Sequence, residues 1–257
     1  MAYFCPAKIG LSVERKIRVG IINYLNSRPL LYGLKMAPIN DMIELVEDFP
    51  AILAEKLKAG DIDVGLVPVA VTKKLPEYHL NGKFCIGAVG DVASVCLFSD
   101  VPLEKIKRIY LDYQSRSSVA LLKWLVKNHW KIDVELIDAT DESFIDLIKE
   151  ETAGLVIGDR ALQQRGKTKY IYDLAGEWKA ATGLPFVFAA WISTKPLPEN
   201  FMFEFDKANE FGLHHLNEVI AQCPQNIYDL KKYYSHNLSY QLDEEKRKGL
   251  KLFLESF

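Results

Sequence analysis

The run Gln114-Ser115-Arg116-Ser117-Ser118 sets hydroxyl, amide and guanidinium donors side by side just ahead of a helix. Val119, Leu122, Leu125 and Val126 recur with helical spacing and mark that helix. A helix start leaves backbone N–H groups unpaired and carries a partial positive charge. Serine hydroxyls and an arginine added there make a seat for a carboxylate or phosphate. The alternative is an ordinary serine cap beside a solvated arginine. Three further candidates share this local logic. Asn26 and Ser27 open a helix in NYLNSRPLLYGL, where capping by Ser27 with Pro29 in the first turn is the plainer alternative. Ser94 lies in an alternating run, ASVCLFS, and either faces a cleft or is packed. Asp159 opens another helix, either as its cap or as a site carboxylate.

The elements that must position these groups alternate between strand and helix. Strands are predicted over 16–22, 42–46, 62–67, 84–89, 94–98, 108–112, 134–137, 154–157, 170–174 and within 182–191. Helices are predicted over 50–59, opened by Pro50 and closed by Gly60, and over 142–150 and 176–181. The run TGLPFVFAAW (182–191) enters its strand through Thr182-Gly183-Leu184-Pro185, and Phe186, Phe188 and Trp191 then line a pocket or fill a core. From residue 197 the pattern turns helical, over 199–222, 227–234 and 243–255.

This alternation predicts an α/β protein of two lobes, each with a mixed, mostly parallel sheet flanked by helices, and a helical C-terminal tail. Runs 94–98 and 186–193 are the expected crossings. Lobe I then comprises 1–97 and 193–257, and lobe II is an insertion of 98–192. A ligand cleft is expected between the lobes, beyond the carboxyl ends of the strands. Residues 1–15 read as a loosely held arm.

Composition excludes several classes. The chain has 257 residues, is 49% hydrophobic and 26% charged, and carries a formal net charge of -2. No basic surplus points to nucleic acid. Cys5, Cys85, Cys96 and Cys223 form no CxxC pair, so buried thiols are expected rather than a zinc site or a disulfide framework. No apolar run has the length of a signal peptide or a membrane span, so a cytoplasmic protein is expected, with no membrane partner. Monomer and homodimer both remain open.

Several phrases together resemble chorismate dehydratase of the futalosine route to menaquinone, a family with the type II periplasmic-binding-protein fold. They are YLNSRPL (24–30), GDIDVGLVPV (60–69), SVCLFS (94–99), LDYQSRSSVALL (111–122), GLVIGDRAL (154–162), YDLAGEW (172–178), TGLPFVFAAW (182–191) and YQLDEEKRKGLKLF (240–253). They span nearly the whole chain in order. Ser117 stands where the family's SRTS has threonine, and both carry a hydroxyl.

The resemblance implies that chorismate is the substrate and loses water to give 3-[(1-carboxyvinyl)oxy]benzoate, with no metal and no organic cofactor. It implies Asn26, Ser94 and Asp159 as catalytic candidates. Ser27, Ser115, Arg116, Ser117, Ser118, Thr182, Gly183, Leu184 and Phe186 are then candidates for binding substrate. None of His79, His129, His214, His215 and His236 falls in a matching phrase, so the site is donor-rich and base-poor. The substrate's own side-chain carboxylate is the expected base, with Asp159 as rival. A solute-binding protein for a small carboxylate and the sister enzyme 1,4-dihydroxy-6-naphthoate synthase are the alternative readings.

Overall fold

Short apolar strands alternating with helices build two sheets in the structure, a computed structural model that describes residues 15–224 and 226–256. The expected N-terminal arm, apart from Arg15, and Cys5 lie outside the described residues. The first sheet contains β1 (Ile17–Ile22), β2 (Ile43–Asp48), β3 (Val64–Pro68), β4 (His79–Ala88), β10 (Phe186–Ser193) and β11 (Ser239–Gln241), in the order β11-β4-β10-β3-β1-β2. The second contains β5 (Val95–Ser99), β6 (Arg108–Leu111), β7 (Glu135–Asp138), β8 (Thr152–Ile157) and β9 (Tyr170–Asp173), in the order β7-β6-β8-β5-β9.

Pairing is mixed. β1 runs parallel to β2 and β3, and β6 parallel to β7 and β8, whereas β4, β5 and β10 run antiparallel to their neighbours. Parallel pairing therefore does not predominate. β4 leads out of the first sheet, β5 enters the second from outside it, and β10 returns. Such crossing strands run against the βαβ units they join. Sheet membership also moves the expected boundaries: β5 belongs wholly to the second sheet, and β10 wholly to the first. The return crossing lies ahead of β10, at residues 183–185.

The core follows the apolar runs. Every residue of β3, β5, β8 and β10 is buried, as expected for strands covered on both faces. The helices are α1 (Arg28–Leu34), α2 (Ile39–Met42), α3 (Pro50–Ala59), α4 (Ser117–Trp124), α5 (Gly158–Gln164) and α6 (Leu174–Thr182). In the tail they are α7 (Glu199–His214), α8 (Leu216–Ala221), α9 (Leu230–Lys232) and α10 (Glu244–Glu255). α3 has the bounds that Pro50 and Gly60 predict, with Gly60 in the left-handed conformation at φ 76°. α1 packs on α7 by direct backbone approach. A Cβ on Gly33 would lie 1.7 Å from the Ala208 carbonyl oxygen, and one on Gly212 would lie 1.8 Å from that of Pro29.

Three helical expectations are revised. The long helix over 199–222 breaks at His215, whose ψ of 39° leaves the helical region. The stretch 142–150 forms only a 3-10 turn at Glu142–Leu147. The stretch 227–234 shrinks to α9 and a π-helical turn, Tyr233–Asn237, after which β11 pairs with β4. That short strand has no local signature, since it is stabilised only by an edge supplied from elsewhere.

Candidate active site

A small cavity lies between the two sheets. It sits at the carboxyl ends of β1, β3 and β8, marked by Ile22, Pro68 and Ile157. Its polar lining comes from Tyr24, Asn26, Ser94, Ser115, Ser117 and Ser118, and its apolar lining includes Ile86, Val92, Val95 and Phe188. Five of the candidates read from the sequence, Asn26, Ser94, Ser115, Ser117 and Ser118, are thus brought together from three separate stretches.

The three serines mark the start of α4. Ser115 Oγ accepts from Ser118 N–H at 3.0 Å, a local cap, and Ser117 Oγ accepts from Ala70 N–H at 3.1 Å, from the far side of the cleft. Each serine hydroxyl that accepts keeps its own proton to donate. The Asn26 side-chain oxygen is buried without a hydrogen-bond partner, which in a cavity wall marks a group prepared for a ligand. Tyr24 is the one wall residue whose proton is already committed: its hydroxyl donates to Gln114 Oε1. That bond turns the phenol toward Gln114 and Arg160 rather than leaving its proton for a ligand.

Behind this wall lies a buried ionic cluster with no sequence signature. Asp112 accepts two bonds from Arg160 Nη2 at 2.9 and 3.0 Å, and further bonds from the backbone N–H of Gln114 and Ile157 at 2.9 and 3.2 Å. Arg160 also donates to Gln114 Oε1 at 2.9 Å. The cluster ties the loop before α4 to the β8–α5 junction. Burial raises the Asp112 carboxyl above the ordinary carboxylate range, against the pull of Arg160. Gly158 serves the same junction. Its φ is 65°, and a Cβ there would press on the Tyr24 ring at 3.0 Å.

The remaining candidates are placed elsewhere. Ser27 is fully buried, and its hydroxyl donates back to the carbonyls of Ile22 and Tyr24, so it shapes the turn rather than the cavity. Arg116 is exposed and points away from this wall. Thr182 donates to the Trp178 carbonyl at 2.8 Å and accepts from Leu184 N–H at 3.2 Å. With Gly183 at φ 74° these residues end α6 and turn the chain into β10. Phe186 packs edge-on against Trp178, Phe188 and Phe253 in the core, and it is Phe188 that reaches the cavity. Asp159 stands beside the cavity, where its carboxylate accepts from Leu25 N–H at 2.9 Å and joins the two lobes. Burial raises its pKa above the ordinary value, with the Leu25 bond and Arg28 opposing.

None of the five histidines lines the cavity. Among the described residues no group of three or more His, Cys, Asp and Glu side chains is placed to hold a metal ion. No helix among them is long and apolar enough to cross a membrane.

Comparison with known proteins adds to this geometry. Residues 17–257 match the family model described as menaquinone biosynthesis. A chorismate dehydratase from Thermus thermophilus is 28% identical over 261 residues, covering 93% of this chain and 94% of that protein. Among solved structures, a protein from Archaeoglobus fulgidus superimposes with a TM-score of 0.70 at 18% identity, covering 94% of this chain and 96% of that one. A Candida albicans gene product described as having the generic periplasmic-binding-protein fold superimposes with a TM-score of 0.61 at 12% identity, covering 93% and 90%. The two-sheet architecture is that fold.

Proposed function

The chain belongs to the menaquinone-biosynthesis family, and on that premise we propose that it is a chorismate dehydratase, a hydro-lyase that eliminates water to give 3-[(1-carboxyvinyl)oxy]benzoate. The reading places it in the futalosine route and in the cytoplasm. The observation that carries it is the cavity wall: Asn26, Ser94 and the α4 serines converge on one cavity. Chorismate presents two carboxylates to such donors. A hydrogen bond to a charged group contributes about 1.5–3 kcal/mol, so a few of them hold the ring in one orientation.

In this reading the ring proton beside the enol ether is removed and the neighbouring hydroxyl leaves. The carbanion that forms is conjugated through the diene to the ring carboxylate, and aromatisation supplies driving force. The wall has hydroxyl and amide groups but no carboxylate or histidine among its described lining residues. This favours the substrate's own side-chain carboxylate as the base. Asn26, Ser94 and the α4 serines orient the substrate and the leaving hydroxyl. Asp159, already engaged by Leu25 N–H, holds the lobes together.

The test is direct. Purified protein is incubated with chorismate without added metal or cofactor, and products are read by mass spectrometry. Loss of one water to the enolpyruvyl benzoate is expected. Unchanged chorismate with folded protein refutes the reading, and a ligand-induced rise in Tm would then point to a binding protein. Asp159→Asn retains turnover within about tenfold if the substrate supplies the base. Abolished turnover with intact chorismate binding makes Asp159 the base instead.

A further inference from the structure

Among the described residues the Ser94 hydroxyl has one hydrogen-bond partner, and that partner decides where its proton points. Tyr233 Oη donates to Ser94 Oγ at 2.7 Å. Tyr233 is fully buried and packs against the Tyr228 and Tyr234 rings. Among the described residues its hydroxyl has no other acceptor. Were Ser94 the donor, the Tyr233 proton would be stranded in the core, an arrangement that buried polar groups avoid. Ser94 Oγ therefore accepts from Tyr233, and its own proton has no acceptor among the described residues. The side left open to it is the cavity that Ser94 lines.

The backbone around Ser94 is held just as firmly. Gly158 N–H donates to the Ser94 carbonyl at 2.8 Å. The Asp173 carboxylate grips the N–H groups of Val92 and Ala93 at 3.0 and 2.7 Å, with Ala93 at φ 65°. Arg165 donates to the Ala93 carbonyl at 3.0 Å. These bonds fix the backbone that carries Ser94. They leave χ1 and the hydroxyl torsion free, and the Tyr233 bond removes that freedom.

We propose that Tyr233, contributed by the C-terminal helical tail, is a positioning residue that locks the Ser94 hydroxyl as a hydrogen-bond donor to a substrate oxygen. The inference rests on the dehydratase reading. It gives the tail a role in the chemistry of a cavity whose wall it does not form.

The experiment is a double-mutant cycle on chorismate turnover, with Tyr233→Phe, Ser94→Ala and the pair. Tyr233→Phe keeps the ring and its packing, so Tm is expected to fall by only a few degrees. A released hydroxyl spreads over three staggered wells, so kcat is expected to drop about three- to tenfold. Ser94→Ala removes the donor itself and is expected to lower kcat about 100-fold, as loss of a preorganised donor does. The double variant is expected to match Ser94→Ala within about twofold, because Tyr233 acts only through Ser94. An unchanged kcat in Tyr233→Phe overturns the assignment. So does a full additional fall when Tyr233→Phe is placed on Ser94→Ala, which would mark a general structural role. A Tyr233→Phe protein that no longer folds overturns it too, since the hydroxyl would then serve the core. Wild-type protein inert toward chorismate overturns the dehydratase reading itself, and the inference with it.

Discussion

Asp112→Ala should cost this protein more than any surface substitution, for a reason visible in the bond geometry. The Asp112 carboxylate is fully inaccessible, and its partner Arg160 is 16% exposed. Alanine removes both bonds from Arg160 and strands the N–H groups of Gln114 and Ile157. Breaking one side of a buried pair costs about 3–5 kcal/mol, most of it from the charge left uncompensated. Against a total stability of about 5–15 kcal/mol, that is about a fifth or more of the whole. At about 2–4 °C per kcal/mol for a chain of this size, Tm should fall by about 6–20 °C. The assay is urea unfolding, with a lowered midpoint at unchanged m. Adding Arg160→Met removes the stranded cation and should recover part of the loss. The reasoning is refuted if Asp112→Ala lies within about 1 kcal/mol of wild type, or if the double variant is less stable than the single.

Further consequences follow from packing and charge. Gly33→Ala forces a Cβ against the Ala208 carbonyl at 1.7 Å, and should cost about 3 kcal/mol or more through separation of α1 from α7; retained stability in urea would contradict that packing. Burial pushes the Asp173 carboxyl from 3.8 up to about 6, against the N–H groups of Val92, Ala93 and Gly176. The folded state then binds the extra proton, so stability falls as pH rises from about 4 to 6, by up to about 3 kcal/mol. Asp173→Asn should lose that slope in urea titrations at the two ends of the window, and a slope that persists assigns it elsewhere. Burial raises the Asp63 carboxyl, but Arg18 and Arg15 outweigh it and hold it at about 2. That stabilisation is present above pH 4 and is lost as pH falls toward 2. Exposure of the pair to solvent trims it to about 1 kcal/mol, and Asp63→Asn should flatten the acid limb by that amount.

What was legible in the sequence was what neighbouring residues decide among themselves. Apolar runs and their periods located the strands, and Pro50 with Gly60 bounded α3, because chain stiffness and capping act over a few residues. The same local logic singled out Ser115, Ser117, Ser118 and Asn26 as candidates, and all four line the cavity. Arg116 and Ser27 share those stretches yet turn away from the cavity, since direction depends on the phase at which each helix begins. The Thr182–Leu184 segment, read as a candidate for binding substrate, ends α6 in the structure.

Tertiary structure alone decided the pairings that give the site its polarity. Arg160 meets Asp112 across 48 positions, Tyr24 meets Gln114 across 90, and Tyr233 meets Ser94 across 139. No local pattern encodes such partners. A buried polar group takes whichever partner the topology brings within about 3 Å, and topology is set by which strands share a sheet. β10 returning to the first sheet and β5 standing in the second place the walls face to face. The sequence determined which groups were available as donors, and the fold determined which of them still had a proton to give.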